Sequence, residues 1–345
     1  TKRQRVERTL NFQPVDRAVL HDQLSYNEAV IAQYTGKATE GYAYTAADVG
    51  QVIRQTLDAC FIPVAPLGVG FRADADGFTY YDDHWNTSLT GRPFSDLNGA
   101  REYLLRKTAE LRSLCSQHFD AAAERVGYQR YMSAIQALIG ETVHIDFSIG
   151  TGFCDCWSKL GLELFSYLYA EEPQVIRAYL EACIETSVRK VEAAADPGLS
   201  PVVLIAEDFA SKSGSIFSPR LLRDLHFPYV RRLARAWHER GLKVLYHSDG
   251  NWKRLIPDLV GCEVDGFYCL EPALGMDIVE LSRDWPGMVW AGGLDGVDLM
   301  EHGTPVGVRA EVQRQIRETR ALQRGGIFIS SSSEINPPVR VENFQ

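Results

Sequence analysis

The sequence predicts an α/β fold, a single (β/α)8 barrel domain that spans residues 1–345. Short runs rich in β-branched residues recur at roughly 40-residue intervals in the second half of the chain, and a helical pattern follows each run. Near-continuous apolar runs such as VVLIA (202–206) and GIFIS (326–330) are typical of parallel strands buried on both faces. No glycine-rich dinucleotide motif follows an early strand, which favours a closed barrel over an open nucleotide-binding sheet.

Eight strands make up the predicted barrel, which is the number that this fold requires. Two of them lie in the first hundred residues, and the other six lie between residues 143 and 331. They are predicted at residues 18–22, 60–65, 143–148, 202–207, 243–247, 265–269, 288–293 and 327–331.

Capping residues and glycines mark the ends of the predicted helices. The segments 218–241 and 304–325 open with Ser-Pro and Thr-Pro, in which the hydroxyl caps the helix and proline takes its first position. Both segments close at a glycine. A third helix is predicted from residue 173 to about 195, because its apolar residues form one stripe at helical spacing.

Residues 68–92 interrupt the alternation of strands and helices. A turn is predicted at Asp76-Gly77, and aromatic residues such as Tyr81 follow it. We interpret this segment as a β-hairpin inserted after the second strand, above the barrel mouth, where Tyr81 would contact substrate. A plain surface excursion is the alternative interpretation.

Composition excludes several classes of function. The chain of 345 residues carries a net charge of −9 and has a pI of about 5.5, so it lacks the basic surface that nucleic acid or an anionic membrane would need. No run approaches the roughly 18 apolar residues of a membrane span, and the N-terminal segment is charged.

The seven cysteines lie mostly in apolar runs, which indicates reduced thiols and a cytoplasmic location. Cys154 and Cys156 have no second matching pair, so packing and metal binding both remain open for them.

Ionisable residues collect where the predicted strands end, and in a (β/α)8 barrel this end carries the active site. Carboxylates and imidazoles dominate these positions. His144, His226 and His238 lie inside strands or helices and are interpreted as structural. The predicted catalytic residues are Glu207, Asp208, His247 and Asp249, and the predicted substrate-binding residues are Asp22, Tyr81, Asn251, Trp252, Glu271 and Asp295.

A cluster of carboxylates and histidine has three chemical uses: it binds a divalent metal, exchanges protons, or holds a cationic or hydroxylated ligand. Other arrangements for catalysis are missing from the sequence. There is no G-x-S-x-G nucleophile elbow, no phosphate-binding P-loop and no HExxH zinc helix.

Five segments in fixed order resemble the uroporphyrinogen decarboxylase superfamily, and they cover nearly the whole chain. They are RQRVERTLNFQPVDR (3–17), AEDFASKSGSIFSPRLLRDLHFPYVRRL (206–233), GLKVLYHSDGN (241–251), AGGLDGVDLMEHGTP (291–305) and GGIFISSSSEINPPVRVENF (325–344). The resemblance implies a (β/α)8 barrel, in agreement with the strand count. Members of the superfamily normally continue past the ENF segment into a final helix, so the last segment is expected to be missing here.

The superfamily has two well-known chemistries, and the residues favour the second. True uroporphyrinogen decarboxylases carry an arginine-rich segment near the first strand, whereas the equivalent stretch 20–30, LHDQLSYNEAV, has no arginine to bind substrate carboxylates. The other branch transfers methyl groups to or from a corrinoid protein, often with zinc held by a His-x-Cys pair and a later Cys. His247 matches the histidine, Asp249 replaces the first cysteine, and Ser333 and Glu334 stand where the later cysteine would fall.

The resemblance therefore implies zinc bound by His247, Asp249 and Glu334, a harder site than one with two thiolates. Such a site favours a methyl group linked to oxygen or nitrogen. The expected function is a methyltransferase of a corrinoid-dependent demethylase system, acting on a small methoxylated or methylamine-like substrate and docking a corrinoid protein. Two alternatives remain: a metal-independent decarboxylase or lyase of a small or tetrapyrrole-like acid, with Asp208 and His247 as proton donors, and a non-catalytic ligand-binding barrel. The sequence does not decide between a monomer and a homodimer.

Overall fold

The strands of the computed structural model, which describes residues 1–24 and 26–345, are mostly short. They are β1 (Val19–Asp22), β2 (Ala59–Cys60), β3 (Gly70–Ala73), β4 (Thr79–Asp83), β5 (Asn86–Gly91), β6 (Val143–His144), β7 (Val202–Ala206), β8 (Ala210–Ser211), β9 (Gly214–Ser215), β10 (Lys243–His247), β11 (Gly266–Tyr268), β12 (Val289–Trp290) and β13 (Phe328–Ile329). Each of the eight predicted strands overlaps one of these.

Helices follow most of the strands. They are α1 (Lys2–Leu10), α2 (Glu28–Thr35), α3 (Ala46–Thr56), α4 (Leu97–Ser113), α5 (Ala121–Ile139), α6 (Phe153–Leu160), α7 (Leu162–Glu171), α8 (Pro173–Ala194), α9 (Pro219–Leu225), α10 (Phe227–Glu239), α11 (Ile256–Val260), α12 (Ile278–Asp284), α13 (Pro305–Thr319), α14 (Ala321–Arg324) and α15 (Val341–Phe344). Single π-helical turns occur at Leu114–His118 and Gly296–Glu301, and 3-10 turns at Lys253–Leu255 and Pro272–Leu274.

The predicted helix starts are confirmed. The Ser218 side chain accepts a hydrogen bond from the N–H of Leu221 at the start of α9, and Thr304 does the same for Gly307 at the start of α13. The predicted helix 218–241 is interrupted at His226, which separates α9 from α10.

The central strands form two parallel four-stranded sheets. Their orders are β13-β1-β2-β6 and β12-β11-β10-β7. Parallel bridges link one sheet to the other at both edges, between Asp146 and Val203 at one, and between Trp290 and Ile327 and between Leu294 and Ser331 at the other. The α/β fold with parallel strands is confirmed.

Apolar side chains from all the central strands pack together between the two sheets. This inner cluster includes Val19, Ala59, Val143, Leu204, Leu245, Tyr268, Val289 and Phe328. Val6 and Leu10 of α1 join it. A second and larger cluster fills the space between the strands and the surrounding helices. Burial of each large aliphatic side chain stabilises the fold by about 1.5–3 kcal/mol, so the two layers hold the strand ends in place.

Residues 70–91 form an antiparallel sheet of three strands, β3-β4-β5, one strand more than the predicted hairpin. Tyr81 of β4 lies opposite Phe71 of β3, and their rings are 5.0 Å apart. The turn between β3 and β4 is anchored to the protein by Phe78, which is fully buried.

Two further expectations concern cysteines and membranes. All seven cysteines are free thiols, as the sequence predicts. Within residues 1–24 and 26–345, no helix has both the length and the apolar character needed to cross a membrane.

Candidate active site

A cavity of about 150 Å³ opens at the carboxyl ends of β7, β10 and β11. Its walls combine aromatic rings, carboxylates and small polar side chains. They are formed by Gln23, Phe61, Phe147, Leu204, Ala206, His247, Asp249, Tyr268, Cys269, Ser332, Ser333 and Glu334. The position agrees with the rule that active sites of parallel α/β folds lie beyond the strand ends.

His247, the last residue of β10, lies between two carboxylates. Its Nε2 atom is 3.6 Å from Oδ1 of Asp208 and 3.7 Å from Oδ1 of Asp249. The backbone N–H of Asp249 donates to Oδ1 of Asp208 over 2.9 Å, which fixes the two acids relative to each other. On one face, the imidazole stacks on the Tyr268 ring with centroids 5.6 Å apart. The ring is therefore held at the cavity wall with one nitrogen facing negative charge.

The thiol of Cys269, the residue directly after β11, lies beside His247 and Asp249. Its Sγ atom lies 3.1 Å from Oδ1 of Asp249 and 2.8 Å from the carbonyl oxygen of Ser332, two acceptors for its single S–H. Burial raises the pKa of the Cys269 thiol well above its ordinary value, and the Asp249 carboxylate raises it further. The backbone of Cys269 has a φ of +69°, a conformation that costs about 1–2 kcal/mol for a residue with a side chain.

The three side chains have the geometry of a metal-binding group. One donor atom each of His247, Asp249 and Cys269 lies within 4.8 Å of the other two. Imidazole nitrogen, carboxylate oxygen and thiolate sulfur are all zinc ligands, with bond lengths of roughly 2.0–2.3 Å. Small side-chain movements would therefore close such a group around an ion, and the residues fit a zinc site. Glu334 lines the same cavity, but its carboxylate does not belong to this group.

Glu207, predicted as catalytic, faces a loop and not the cavity. Its carboxylate accepts hydrogen bonds from the backbone N–H groups of Thr151, over 2.6 Å, and Cys154, over 2.7 Å. Burial raises its pKa, whereas these hydrogen bonds act in the opposite direction. Its neighbour Ala206 pairs with His247 and lines the cavity, so Glu207 points to the other side of the strand. Glu207 therefore does not line the cavity, and a catalytic role for it stays a prediction.

Asp22, predicted to bind substrate, lines a separate groove on the side of β1 that faces α13. Its carboxylate accepts hydrogen bonds from the N–H groups of Gln23 and Ser331, over 3.0 and 3.1 Å. Burial raises the pKa of Asp22 to about 8, and the negative charge of Glu334 contributes in the same direction. Asp22 therefore ties the end of β1 to the loop after β13 and does not line the cavity beyond β10.

Asn251 and Trp252, also predicted to bind substrate, hold the loop after β10. The Asn251 side chain donates to the carbonyl oxygen of Leu274 over 3.0 Å. Trp252 is fully buried, and its indole N–H donates to the carbonyl oxygen of Ser248 over 2.7 Å. Neither side chain lines the cavity.

Glu271 and Asp295 lie beside the cavity, in an adjoining groove of about 450 Å³. Glu271 accepts a hydrogen bond from the N–H of Gly250 over 2.7 Å, and Asp295 accepts from the N–H of Asp298 over 2.7 Å. Asp249, Ser332 and Ser333 line both spaces. Tyr81 lies in the antiparallel sheet and lines neither of them.

Three histidines interpreted as structural, His144, His226 and His238, and the early cysteines do not line the cavity. His226 is fully buried with its Nε2 atom 2.7 Å from the Tyr246 hydroxyl, and burial lowers its pKa to about 3. His238 lies 2.7 Å from Asp265. Burial lowers the pKa of His144. Cys154 and Cys156 belong to α6, outside the metal-binding group found among the described residues.

Comparison with known proteins places the chain in a family. Residues 157–345, more than half of the sequence, match the model of the family described as Uroporphyrinogen decarboxylase (URO-D). The chain belongs to the uroporphyrinogen decarboxylase family. The resemblance noted in the sequence is thereby confirmed. No curated protein matches the chain.

Solved structures support the fold of this uroporphyrinogen decarboxylase family member. It is similar to a methyltransferase from Methanosarcina mazei, with a TM-score of 0.66 and 17% sequence identity. The similarity covers 100% of this chain and 96% of the other. At this level of identity the likeness concerns the fold.

The segment matched to the uroporphyrinogen decarboxylase family contains His247, Asp249, Cys269 and Glu334. The aromatic residues Phe61 and Phe147 precede it and were not predicted from the sequence, and Tyr268 was likewise missed. A signal for Tyr268 exists: it pairs with His247 across β10 and β11, and paired residues of parallel strands point to the same side. Cys269 carries no such signal, because its positive φ breaks the alternation.

Proposed function

We propose that this protein is a methyltransferase of a corrinoid-dependent demethylase system. It transfers a methyl group from a small methoxylated or methylamine-like substrate to a corrinoid carried by a partner protein. The observation that carries the proposal is the group formed by His247, Asp249 and Cys269 in a cavity beyond the strand ends. We also propose that the eight parallel strands close into a (β/α)8 barrel and that the chain forms one domain.

The metal ligands in this proposal are His247, Asp249 and Cys269, with Cys269 in place of Glu334, the ligand predicted from the sequence. A zinc ion bound there would act as a Lewis acid on the leaving group of the substrate. The strained backbone at Cys269 supports a functional role, because such conformations persist where the structure holds a side chain in a required position.

Two further residues, Asp208 and Tyr268, hold the proposed metal ligands in position. Asp208 accepts the N–H of Asp249 and lies 3.6 Å from Nε2 of His247, so it holds the ligand loop beside the ring. Tyr268 packs against the other side of the imidazole. During transfer the bond from oxygen or nitrogen to the methyl carbon breaks, and its electron pair stays on the leaving atom. The reduced corrinoid supplies the pair for the new bond to carbon.

The size and charge of the cavity favour a small substrate over a tetrapyrrole. A cavity of about 150 Å³ suits a ligand the size of benzene, far smaller than a porphyrinogen. Among the described residues that line it there is no lysine or arginine, whereas two carboxylates are present, Asp249 and Glu334. A substrate with eight carboxylates would find no positive partner there.

The adjoining groove supports the docking of a partner above the cavity. It shares Asp249, Ser332 and Ser333 with the cavity and is open at the strand-end face. A corrinoid protein seated on this face would bring its cobalt to the substrate, and the buried walls below would exclude water.

The proposal is tested by metal analysis and a methyl-transfer assay on the purified protein. We expect about one zinc ion per chain, and formation of methylcorrinoid from a methylated substrate and a reduced corrinoid protein. His247→Ala should lose both properties, whereas His302→Ala, at an exposed histidine, should keep them. Normal transfer by His247→Ala, or release of CO2 in place of methyl transfer, would contradict the proposal.

A further inference from the structure

Three aromatic side chains form one wall of the cavity. The rings of Phe61 and Phe147 are 5.3 Å apart, and those of Phe61 and Tyr268 are 5.2 Å apart. Both pairs meet edge to face. Phe61 and Tyr268 are buried, whereas Phe147 is 40% exposed and stands at the mouth. The face of an aromatic ring carries the negative side of its quadrupole, so a ring that presents its face to a bound cation attracts it.

Carboxylates complete this negative environment. Asp249 and Glu334 line the cavity, and Asp208 lies 3.6 Å from His247 at its edge. A divalent ion held by His247, Asp249 and the Cys269 thiolate would be neutralised by its own two anionic ligands. Glu334 and Asp208 would then remain without a counter-charge in the cavity. Lys212 is the only cationic side chain among the described residues of the adjoining groove.

We propose that the cavity recognises its substrate as a small methylated ammonium ion, held against Phe61, Phe147 and Tyr268 and paired with Glu334. This inference deepens the proposed function, on which it rests, by selecting the methylated nitrogen over the methoxyl group as the recognised feature. N-methyl groups match an aromatic wall in shape, and their shared positive charge interacts with the ring faces. The cavity of about 150 Å³ has room for one such head group.

The test compares a cation with a neutral molecule of the same shape. Choline and 3,3-dimethylbutan-1-ol differ in the charged nitrogen and little else, so their affinities for the zinc-loaded full chain isolate the effect of charge. We expect choline to bind about 10-fold more tightly by calorimetry. Its N-methyl protons should shift upfield in NMR spectra, because they lie over ring faces.

Two variants connect this binding to the cavity. Phe147→Leu removes a ring and keeps an apolar side chain, and Glu334→Gln removes a charge and keeps the shape. Each should weaken choline binding several-fold and leave the affinity for the neutral alcohol unchanged. The matched controls are Phe71→Leu, at a ring 77% exposed in the antiparallel sheet, and Glu40→Gln, at an exposed loop residue, and neither should change binding.

The outcomes separate this inference from the proposed function. Equal affinity for the two compounds, or no binding of either, would overturn the ammonium site. Methyl transfer from a methoxylated compound by a protein that does not bind choline would also overturn the ammonium site, but the proposed function would stand. Tight choline binding that depends on Phe147 and Glu334, with no methyl transfer to a reduced corrinoid protein from any methylated amine or methoxylated compound, would instead overturn the proposed function.

Discussion

The Sγ atom of Cys269 lies 3.1 Å from Oδ1 of Asp249, although the two residues follow different strands, β11 and β10. This contact places a sulfur atom, a soft metal ligand, next to a carboxylate oxygen, a hard metal ligand, beside His247. A site with one nitrogen, one oxygen and one sulfur ligand binds zinc and still polarises an oxygen- or nitrogen-linked substrate better than a site with two thiolates. The third ligand therefore decides the character of the site.

Cys269→Ser and Glu334→Gln should separate the two candidates for that ligand. Because the thiol belongs to the metal-binding group and the Glu334 carboxylate does not, Cys269→Ser should lower zinc affinity by about 100-fold and Glu334→Gln by only a few-fold. Competition with a chromogenic chelator measures both. Cobalt substitution adds a direct signature, a thiolate-to-metal charge-transfer band that Cys269→Ser alone should lose. Cys154→Ser serves as the control, and a larger effect from Glu334→Gln would restore the original prediction.

Glu207→Gln should reduce stability with little effect on turnover. The amide retains one acceptor oxygen, but its NH2 group would face a backbone N–H, that of Thr151 or Cys154, so one buried donor loses its partner. We expect a loss of about 1–3 kcal/mol in the free energy of unfolding, measured by denaturant titration. Glu163→Gln, at an exposed position, provides the reference. A large fall in kcat with unchanged stability would return Glu207 to the catalytic set.

The sequence predicted the parallel α/β fold and the end of the strands at which polar residues collect. It grouped Glu207 with the cavity residues, whereas successive residues of a strand point to opposite sides. Ala206 pairs with His247, so the residue after Ala206 cannot share the cavity while the strand alternation holds. Applying that alternation to the predicted strands would have selected Tyr268 and excluded Glu207.

Two features of the site were beyond prediction from the sequence. Cys269 reaches the cavity because its φ of +69° turns the chain out of the strand pattern, and no local sequence signal marks that angle. Phe147 reaches it from the loop after β6, whose path depends on tertiary packing. Both depend on the conformation of single residues in loops, where sequence patterns carry the least information.

Asp22→Asn should flatten the dependence of stability on pH. Burial raises the pKa of Asp22 to about 8 in the folded protein, above its ordinary value of 3.8. A group with a raised pKa contributes stability that is fully present below the unfolded value and is lost as the pH rises through the folded value. Between about pH 4 and 8 the wild type should therefore lose up to about 1.4 kcal/mol per pH unit from this group.

Asparagine stays neutral, so the stability of the variant should lack this pH dependence. The free energy of unfolding of the variant should therefore rise relative to that of the wild type as the pH rises. Denaturant titrations at pH 5 and pH 8 measure the difference. Asp284→Asn, at an exposed helix end, is the control for a carboxylate outside the core. Parallel pH profiles for Asp22→Asn and the wild type would show that Asp22 is ionised in the folded state.

Gly250→Ala should damage the metal-binding loop more than Gly275→Ala. The two glycines have nearly the same backbone angle, with φ of +82° and +81°, so the conformational strain of a side chain, about 1–2 kcal/mol, is common to both. A Cβ at Gly250 would lie 2.6 Å from the carbonyl oxygen of Ser211, whereas one at Gly275 meets nothing within 4 Å. Only the first substitution must therefore move the backbone next to Asp249. We expect both variants to lose stability in thermal melts, and only Gly250→Ala to lose zinc affinity as well. Equal zinc affinity in the two would mean that Asp249 does not bind the metal.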